Sequence, residues 1–242
     1  MTGDQRWQTG CSGSVTAVER GRPGRGQEKV AGRGLAGQIA LRAWRAGVEM
    51  DGPLASALAV YLDLVYRWNR RINVTGLAED ETGLEKLVIE PLVAAQHMPV
   101  RALSVVDIGS GGGSPAVPLK LAVPGLELRM VESKARKAAF LREVVRQLEL
   151  KDVVVERCRY EDLFRRSELY EAADVVTVRA VKMDRRALEG LGTLLTVGGA
   201  LFLFRSTGED ELLRDVPPSL RCQGTYPLVE SLKSRLVVLE KM

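Results

Sequence analysis

Histidine is almost absent from this chain, with one residue, His97, among 242. A single imidazole excludes His-based metal sets and removes the commonest general base. His97 itself reads as a helix-end residue rather than a catalyst. Cysteine is also scarce: Cys11, Cys158 and Cys222 are odd in number and far apart. That spacing excludes a disulfide framework and a metal-ligand cluster, and it leads us to expect reduced thiols in a cytoplasmic protein. No apolar run approaches the roughly 18 residues that cross a bilayer, and no apolar segment follows the basic N-terminus as in a signal peptide. Neither a Ser/His/Asp set nor a Gly-x-x-x-x-Gly-Lys phosphate loop is present, so hydrolysis and phosphoryl transfer have no residues to carry them. What remains, 45% hydrophobic and 27% charged residues, is the balance of a soluble globular protein, long enough for one or two domains and a sizeable core.

The net charge of +4 is unevenly placed. Residues 1–50 hold eight Lys/Arg against four Asp/Glu, with ten of the 24 glycines, whereas residues 51–242 hold 27 of each sign. The basic balance therefore belongs to the first fifty residues, which are expected to form a flexible, Gly-rich tail. It does not by itself argue for nucleic acid at an active site. A helical segment is expected over residues 51–98 and an α/β domain over residues 99–242.

The most informative stretch is Val105–Gly113. An apolar strand carries Asp107 and then breaks into glycines at 109, 111 and 113, a turn in which backbone N–H groups can approach a ligand closely. A dinucleotide fingerprint would want Gly or Ala at the sixth position, where Ser114 stands. An acid two residues before Gly-x-Gly-x-Gly instead looks like the first motif of methyltransferases that use S-adenosyl-L-methionine. A second strand over Leu126–Val131 ends at Glu132, 19 residues after Gly113. That offset suits an acid on ribose hydroxyls; the alternative is a cap on the helix that follows.

Around this motif the chain alternates in the manner of a parallel sheet. Leu54, Leu58, Tyr61, Leu62, Val65 and Trp68 define a helix to about Asn69, with Tyr61 and Trp68 on its apolar stripe. A second helix is expected over Glu81–Gln96, bent or divided by Pro91. Further helices are expected over 134–149 and Leu188–Thr196, the latter stopping at Gly198-Gly199. Further strands are expected at Val153–Glu156, Ala173–Val178, Ala200–Phe204 and Arg235–Leu239, the last with a partner near Gln223–Leu228. Ligands of open α/β sheets sit beyond the carboxyl ends of the strands. The residues there are Gly109–Ser114, Glu132, Tyr160-Glu161 and Arg179.

The chain resembles the bacterial 16S ribosomal RNA guanine-N7 methyltransferase family, also called glucose-inhibited division protein B, over about residues 54–241. The likeness rests on Tyr61…Trp68-Asn69…Asn73-Val74-Thr75, on Asp107-Ile-Gly-Ser-Gly-Gly-Gly-Ser-Pro-Ala-Val-Pro-Leu119, and on Glu132-Ser133. It rests also on Phe140-Leu141, Arg159-Tyr-Glu161, Arg179-Ala180, Gly198-Gly199 and Arg235-Leu-Val-Val-Leu-Glu-Lys241. The Pro115/Pro118 pair is the most specific element, and Pro118 is expected to distort the helix after the glycine turn. The chain departs from the family pattern at Leu87, Glu90 and Pro91, where a histidine and an Asp-Ser pair are usual, and at Ala116, Glu132 and Arg205-Ser206.

The resemblance implies a Rossmann-like methyltransferase fold, mostly parallel with an antiparallel C-terminal strand, and S-adenosyl-L-methionine as donor. It implies a guanine of 16S rRNA in the decoding region as acceptor, within bare RNA or the small ribosomal subunit. Gly109, Gly111, Ser114, Glu132, Tyr160, Glu161 and Arg179 are the implied cofactor residues. Tyr160-Glu161 could meet the adenine edge, or Glu161-Asp162 could simply begin the next helix. Arg179 could fork onto the methionine carboxylate or form a surface ion pair with Glu161 or Asp162. Arg136, Lys137 and Arg205 are candidates for RNA phosphates, against the alternative of a solvated helix face. No general base, metal or membrane is implied, and a monomer is expected. Two alternatives stand beside this reading: a methyltransferase of the same fold with another acceptor, and an inactive relative that binds rRNA.

Overall fold

Short runs of Val, Ile and Leu, separated by amphipathic stretches, fold into one seven-stranded sheet flanked by helices. The computed structural model describes residues 16–17, 34–100, 104–206 and 215–242. Its strands are β1 (Ser104–Ile108), β2 (Glu127–Val131), β3 (Val153–Glu156), β4 (Ala173–Arg179), β5 (Leu195–Ser206), β6 (Leu220–Pro227) and β7 (Ser234–Lys241). They lie in the order β3-β2-β1-β4-β5-β7-β6. The first five are parallel, while β7 runs antiparallel to both β5 and β6. The order reverses between β1 and β4, so the crevice for a ligand opens where these strands end, at Ile108 and Arg179.

Side chains alternate across the sheet with a period of two. Val105, Leu128, Met130, Val175 and Phe202 face one core, and Val106, Ile108, Val131, Val176 and Leu201 face the other. The first core is covered by α1 (Leu35–Arg45), α2 (Gly52–Ile72), α3 (Glu81–Leu84), α4 (Glu90–Ala95), α5 (Ala116–Ala122) and α6 (Ala135–Gln147). The second is covered by α7 (Arg185–Leu194) and the 3-10 turns before β4.

Helix α1 lies inside the segment expected to be tail. Leu35, Ile39 and Ala43 recur every four residues, and Ile39 and Ala43 are fully buried in the first core. The surrounding glycines masked this short amphipathic pattern. A two-residue strand, Val48–Glu49, pairs with Thr16–Ala17; the remainder of residues 1–33 lies outside the described residues. Helix α2 starts where the Asp51 side chain accepts from Leu54 N (2.8 Å) and stops at Asn73, in the left-handed region at φ 52°.

Three details bear on these expectations. Of the bend or division expected at Pro91, division does not occur: a π turn over Glu85–Ile89 joins α3 to α4. Pro118 falls in the first turn of α5, between the bonds Val117 N to Gly113 O (2.7 Å) and Leu119 N to Pro115 O (3.1 Å). Its missing N–H therefore falls in the first turn, where helical N–H groups lack a partner within the helix. Helix α7 ends at Leu194 and β5 already begins at Leu195, so Gly198-Gly199 lies within the strand. There Gly198 adopts φ 77° beside an irregular pairing with β4.

Candidate active site

The glycine turn leaves β1 with Gly109, Gly111 and Gly113 at φ 70°, 49° and 84°. At Gly109 both backbone and space favour glycine: φ is positive, and a Cβ there would lie 2.5 Å from Val181 Cγ2, which would have to move. Three groups pin the turn. Gly109 N and Ser110 N both donate to Val131 O, at 2.9 and 3.1 Å. Tyr61, fully buried, donates its hydroxyl to Gly112 O (2.8 Å). Glu132 accepts from Gly111 N (3.0 Å) with one oxygen and from Lys134 N (2.7 Å) with the other.

Beneath the turn, Asp107 is 1% exposed and accepts a 2.5 Å bond from the Thr177 hydroxyl. Burial pushes its pKa up to about 6, against the opposing pull of its hydrogen bonds and of Arg179. Burial likewise raises the Tyr61 phenol, keeping it a neutral donor.

On the opposite side of the crevice, Arg179 is held by the helix that contains Pro91. Proline has no N–H to offer the carbonyl four residues earlier, at Leu87, or five earlier, at Lys86. Arg179, at the end of β4, and Ser114, in the glycine turn, meet these two carbonyls. Arg179 Nη1 donates to Lys86 O, and the Ser114 hydroxyl donates to Leu87 O at 2.9 Å. Arg179 also donates to the Ser114 hydroxyl (3.1 Å) and pairs through Nη2 with the Glu90 carboxylate. Its guanidinium lies 4.5 Å from the Phe204 ring centroid, which adds a cation–π contact. Burial lowers the Arg179 pKa, and the Glu90 charge is the main opposing influence.

Between these two assemblies lies a cavity of about 750 Å3, within the range of small-molecule and cofactor sites. Gly109–Gly112 and Ser114 line one wall, and Glu90, Arg179 and Phe204 another. Val74–Leu77 closes a third wall; this loop is shaped by the Asn69 side chain accepting from Thr75 N (2.9 Å) and the Thr75 hydroxyl accepting from Leu77 N (3.2 Å). Lys137, Lys182 and Arg205 supply positive charge at the rim. Glu90 is its only carboxylate among the described lining residues.

The structure thus brings Gly109, Gly111, Ser114, Arg179, Lys137 and Arg205 to one cavity. Glu132 follows β2 beside it and is buried, with one oxygen on Gly111 N and the other on Lys134 N, the residue before α6. Tyr160 and Glu161 lie two strands from the glycine turn, beyond β3. Tyr160 packs edge-on against Phe164 (5.8 Å), Glu161 is exposed, and Asp162 rather than Glu161 caps the turn by accepting from Arg159 N (3.1 Å). Arg136 is exposed on α6 and does not line the cavity. The alternative of an Arg179 ion pair with Glu161 or Asp162 is corrected: the partner is Glu90.

Sequence reasoning assigned no site role to Glu90, Tyr61, Thr177 or Phe204. Pro91, one residue from Glu90, was a usable signal, because a proline inside a helix leaves a carbonyl of the preceding turn in search of a donor. Among the described residues, no three His, Cys, Asp or Glu side chains are placed to hold a metal ion, and no helix is long and apolar enough to cross a membrane.

The profile of the rRNA small subunit methyltransferase G family (GidB) matches residues 54–233, which include every wall of this cavity except Ser234. The ribosomal RNA small subunit methyltransferase G of Carboxydothermus hydrogenoformans is 36% identical over 164 residues, covering 68% of this chain and 70% of that protein. Its counterpart in Xylella fastidiosa strain 9a5c is 33% identical over 204 residues, covering 80% of this chain and 90% of that protein. Among solved structures, TrmN from Thermus thermophilus aligns with a TM-score of 0.50 at 20% identity, over 63% of this chain and 47% of that one, a likeness of fold. With a match of this length and identity on a doubly wound α/β scaffold, the chain belongs to the rRNA small subunit methyltransferase G family.

Proposed function

We propose that this protein transfers a methyl group from S-adenosyl-L-methionine to N7 of a guanine in the decoding region of 16S rRNA. The observation that carries this reading, beyond family membership, is the positive-φ glycine turn opening onto a cavity of about 750 Å3 at the reversal of strand order. The donor would supply an electrophilic methyl on a positively charged sulfur. Gly109–Gly112 would receive it against bare backbone, Ser114 and Arg179 would line its amino-acid end, and Glu132 would serve its ribose. Glu132 can do so while holding Gly111 N and Lys134 N, because two carboxylate oxygens offer about four acceptor positions. Tyr160 and Glu161, farther along the same edge, would flank the adenine.

Guanine N7 carries a lone pair and no proton, so methyl transfer to it requires no general base. The one carboxylate among the described lining residues, Glu90, is paired with Arg179. The protein's work is alignment and exclusion of water. N7 faces the deep, narrow major groove of A-form RNA, which side chains cannot enter, so the target guanine must be unpaired. Lys137, Lys182 and Arg205 at the rim would meet its phosphates.

The test is transfer of labelled methyl from the donor to bare 16S rRNA and to small ribosomal subunits. Label recovered as N7-methylguanosine is expected. Label in other molecules would support a different acceptor, and donor binding without transfer would support an inactive rRNA-binding relative.

A further inference from the structure

A second, larger hollow lies on the far side of the helix that bears Glu90. It has a volume of about 1360 Å3 and is bounded by the C-terminal end of α1, by the π turn and α4, and by residues 225–235 of the β6–β7 hairpin. Along the shared helix, Lys86, Leu87 and Glu90 face the methyl-transfer cavity while Glu85, Ile89 and Val93 face this groove. The two spaces meet at Ser234, which lines both. Arg205 at the rim of the cavity and Arg235 in the groove are paired neighbours on β5 and β7.

The groove has the chemistry of a single-stranded nucleic-acid track. Arg42, Arg45, Lys233 and Arg235 line it against Glu85 and Glu230. Arg42 is committed to Glu81 and Glu85 (2.9 Å to the latter), and Arg45 is exposed. Two aromatic walls accompany these charges. His97 and Tyr226 stack at 4.1 Å with their planes 26° apart, tying the end of α4 to the hairpin, and burial lowers the His97 pKa. Trp44 of α1 lines the same groove, half-buried and outside the packed core. Basic side chains that follow a backbone, combined with flat rings on which bases stack, recognise single strands with little regard to sequence.

Resting on the function proposed above, we propose that this groove holds the unpaired RNA flanking the target guanine, with Trp44 stacking on a base and Arg45 meeting phosphate. The strand would pass from the groove over Ser234 into the cavity.

The test compares Trp44→Ala and Arg45→Glu with the wild type, using small ribosomal subunits as substrate. Trp44→Ala should raise the KM for RNA roughly 5- to 150-fold, the span of one lost base stack. Arg45→Glu should weaken RNA binding and reduce the salt slope by about one. Both should bind S-adenosyl-L-methionine as the wild type does, which shows that they fold. Photocrosslinking of 4-thiouridine RNA to the wild type should label peptides around Trp44 and residues 225–235. Variants with the RNA KM within twofold of wild type, or crosslinks confined to the α6 face around Arg136, would overturn the groove while leaving the methyltransferase intact. A wild type that transfers nothing to RNA would overturn the function itself, and the groove's assignment with it.

Discussion

Replacing Glu90 with Ala tests the physical centre of the site. The side chains of Glu90 and Arg179 are 5% and 15% exposed, so the variant would leave a guanidinium in a low-dielectric crevice without its counter-charge. Breaking a buried pair in this way costs about 3–5 kcal/mol. Arg179 keeps Lys86 O, the Ser114 hydroxyl and the Phe204 face, which places the loss at the lower end, about 3 kcal/mol. For a chain of this size that corresponds to a fall in melting temperature of roughly 6–12 °C. Removing the pair together, as Glu90→Leu with Arg179→Met, should recover most of that loss because no lone charge remains, and should stay about 1 kcal/mol or more below wild type because the Lys86 carbonyl and the Ser114 hydroxyl lose their Arg179 contacts. Urea unfolding followed by circular dichroism reads both quantities. A Glu90→Ala protein within about 0.5 kcal/mol of wild type, or a double variant no more stable than the single, would refute the reasoning.

Three further outcomes are expected. Tyr61→Phe leaves the buried Gly112 carbonyl without its donor, and should lose about 1–3 kcal/mol in chemical denaturation while also weakening binding of the donor. Asp107 has a pKa raised to about 6 in the folded state against about 3.9 unfolded, so the native state binds the extra proton between those values. Its contribution to stability is present below about pH 4 and is lost as pH rises to about 6. Asp107→Asn should therefore gain stability relative to wild type across that window, as read by melting temperature in buffers from pH 4 to 7. Arg179→Lys cannot reach Lys86 O, the Ser114 hydroxyl and Glu90 with one ammonium; calorimetry should show S-adenosyl-L-methionine binding weakened at least tenfold.

The scaffold was legible where one physical signal dominated. The strands Val105–Ile108 and Val153–Glu156, the stripe of α2 and the glycine turn all follow from periodicity and backbone freedom. Helix α1 was hidden because its four-residue repeat sits in a Gly-rich, basic context that reads as unstructured. The boundary between α7 and β5 was misplaced because Gly198-Gly199 marks an irregularity inside a strand as readily as the end of a helix. Within the site, the residues next to the glycine turn were visible from spacing alone. The Arg179–Glu90 pair was not, because the two are 89 positions apart and only the topology brings them together. Leu87 and Pro91 lack the side-chain chemistry usual in the family, yet Leu87 contributes a main-chain carbonyl to the site, left open because Pro91 has no N–H.

The most direct measurement maps N7-methylguanosine in 16S rRNA from cells with and without this gene, using borohydride reduction and aniline cleavage at the modified base. A single cleavage in the decoding region that is present with the gene, absent without it, and restored by the wild type but not by a variant whose glycine turn is blocked, Gly109→Val, is the expected result. A cleavage pattern that is identical in all of these cells would contradict the account.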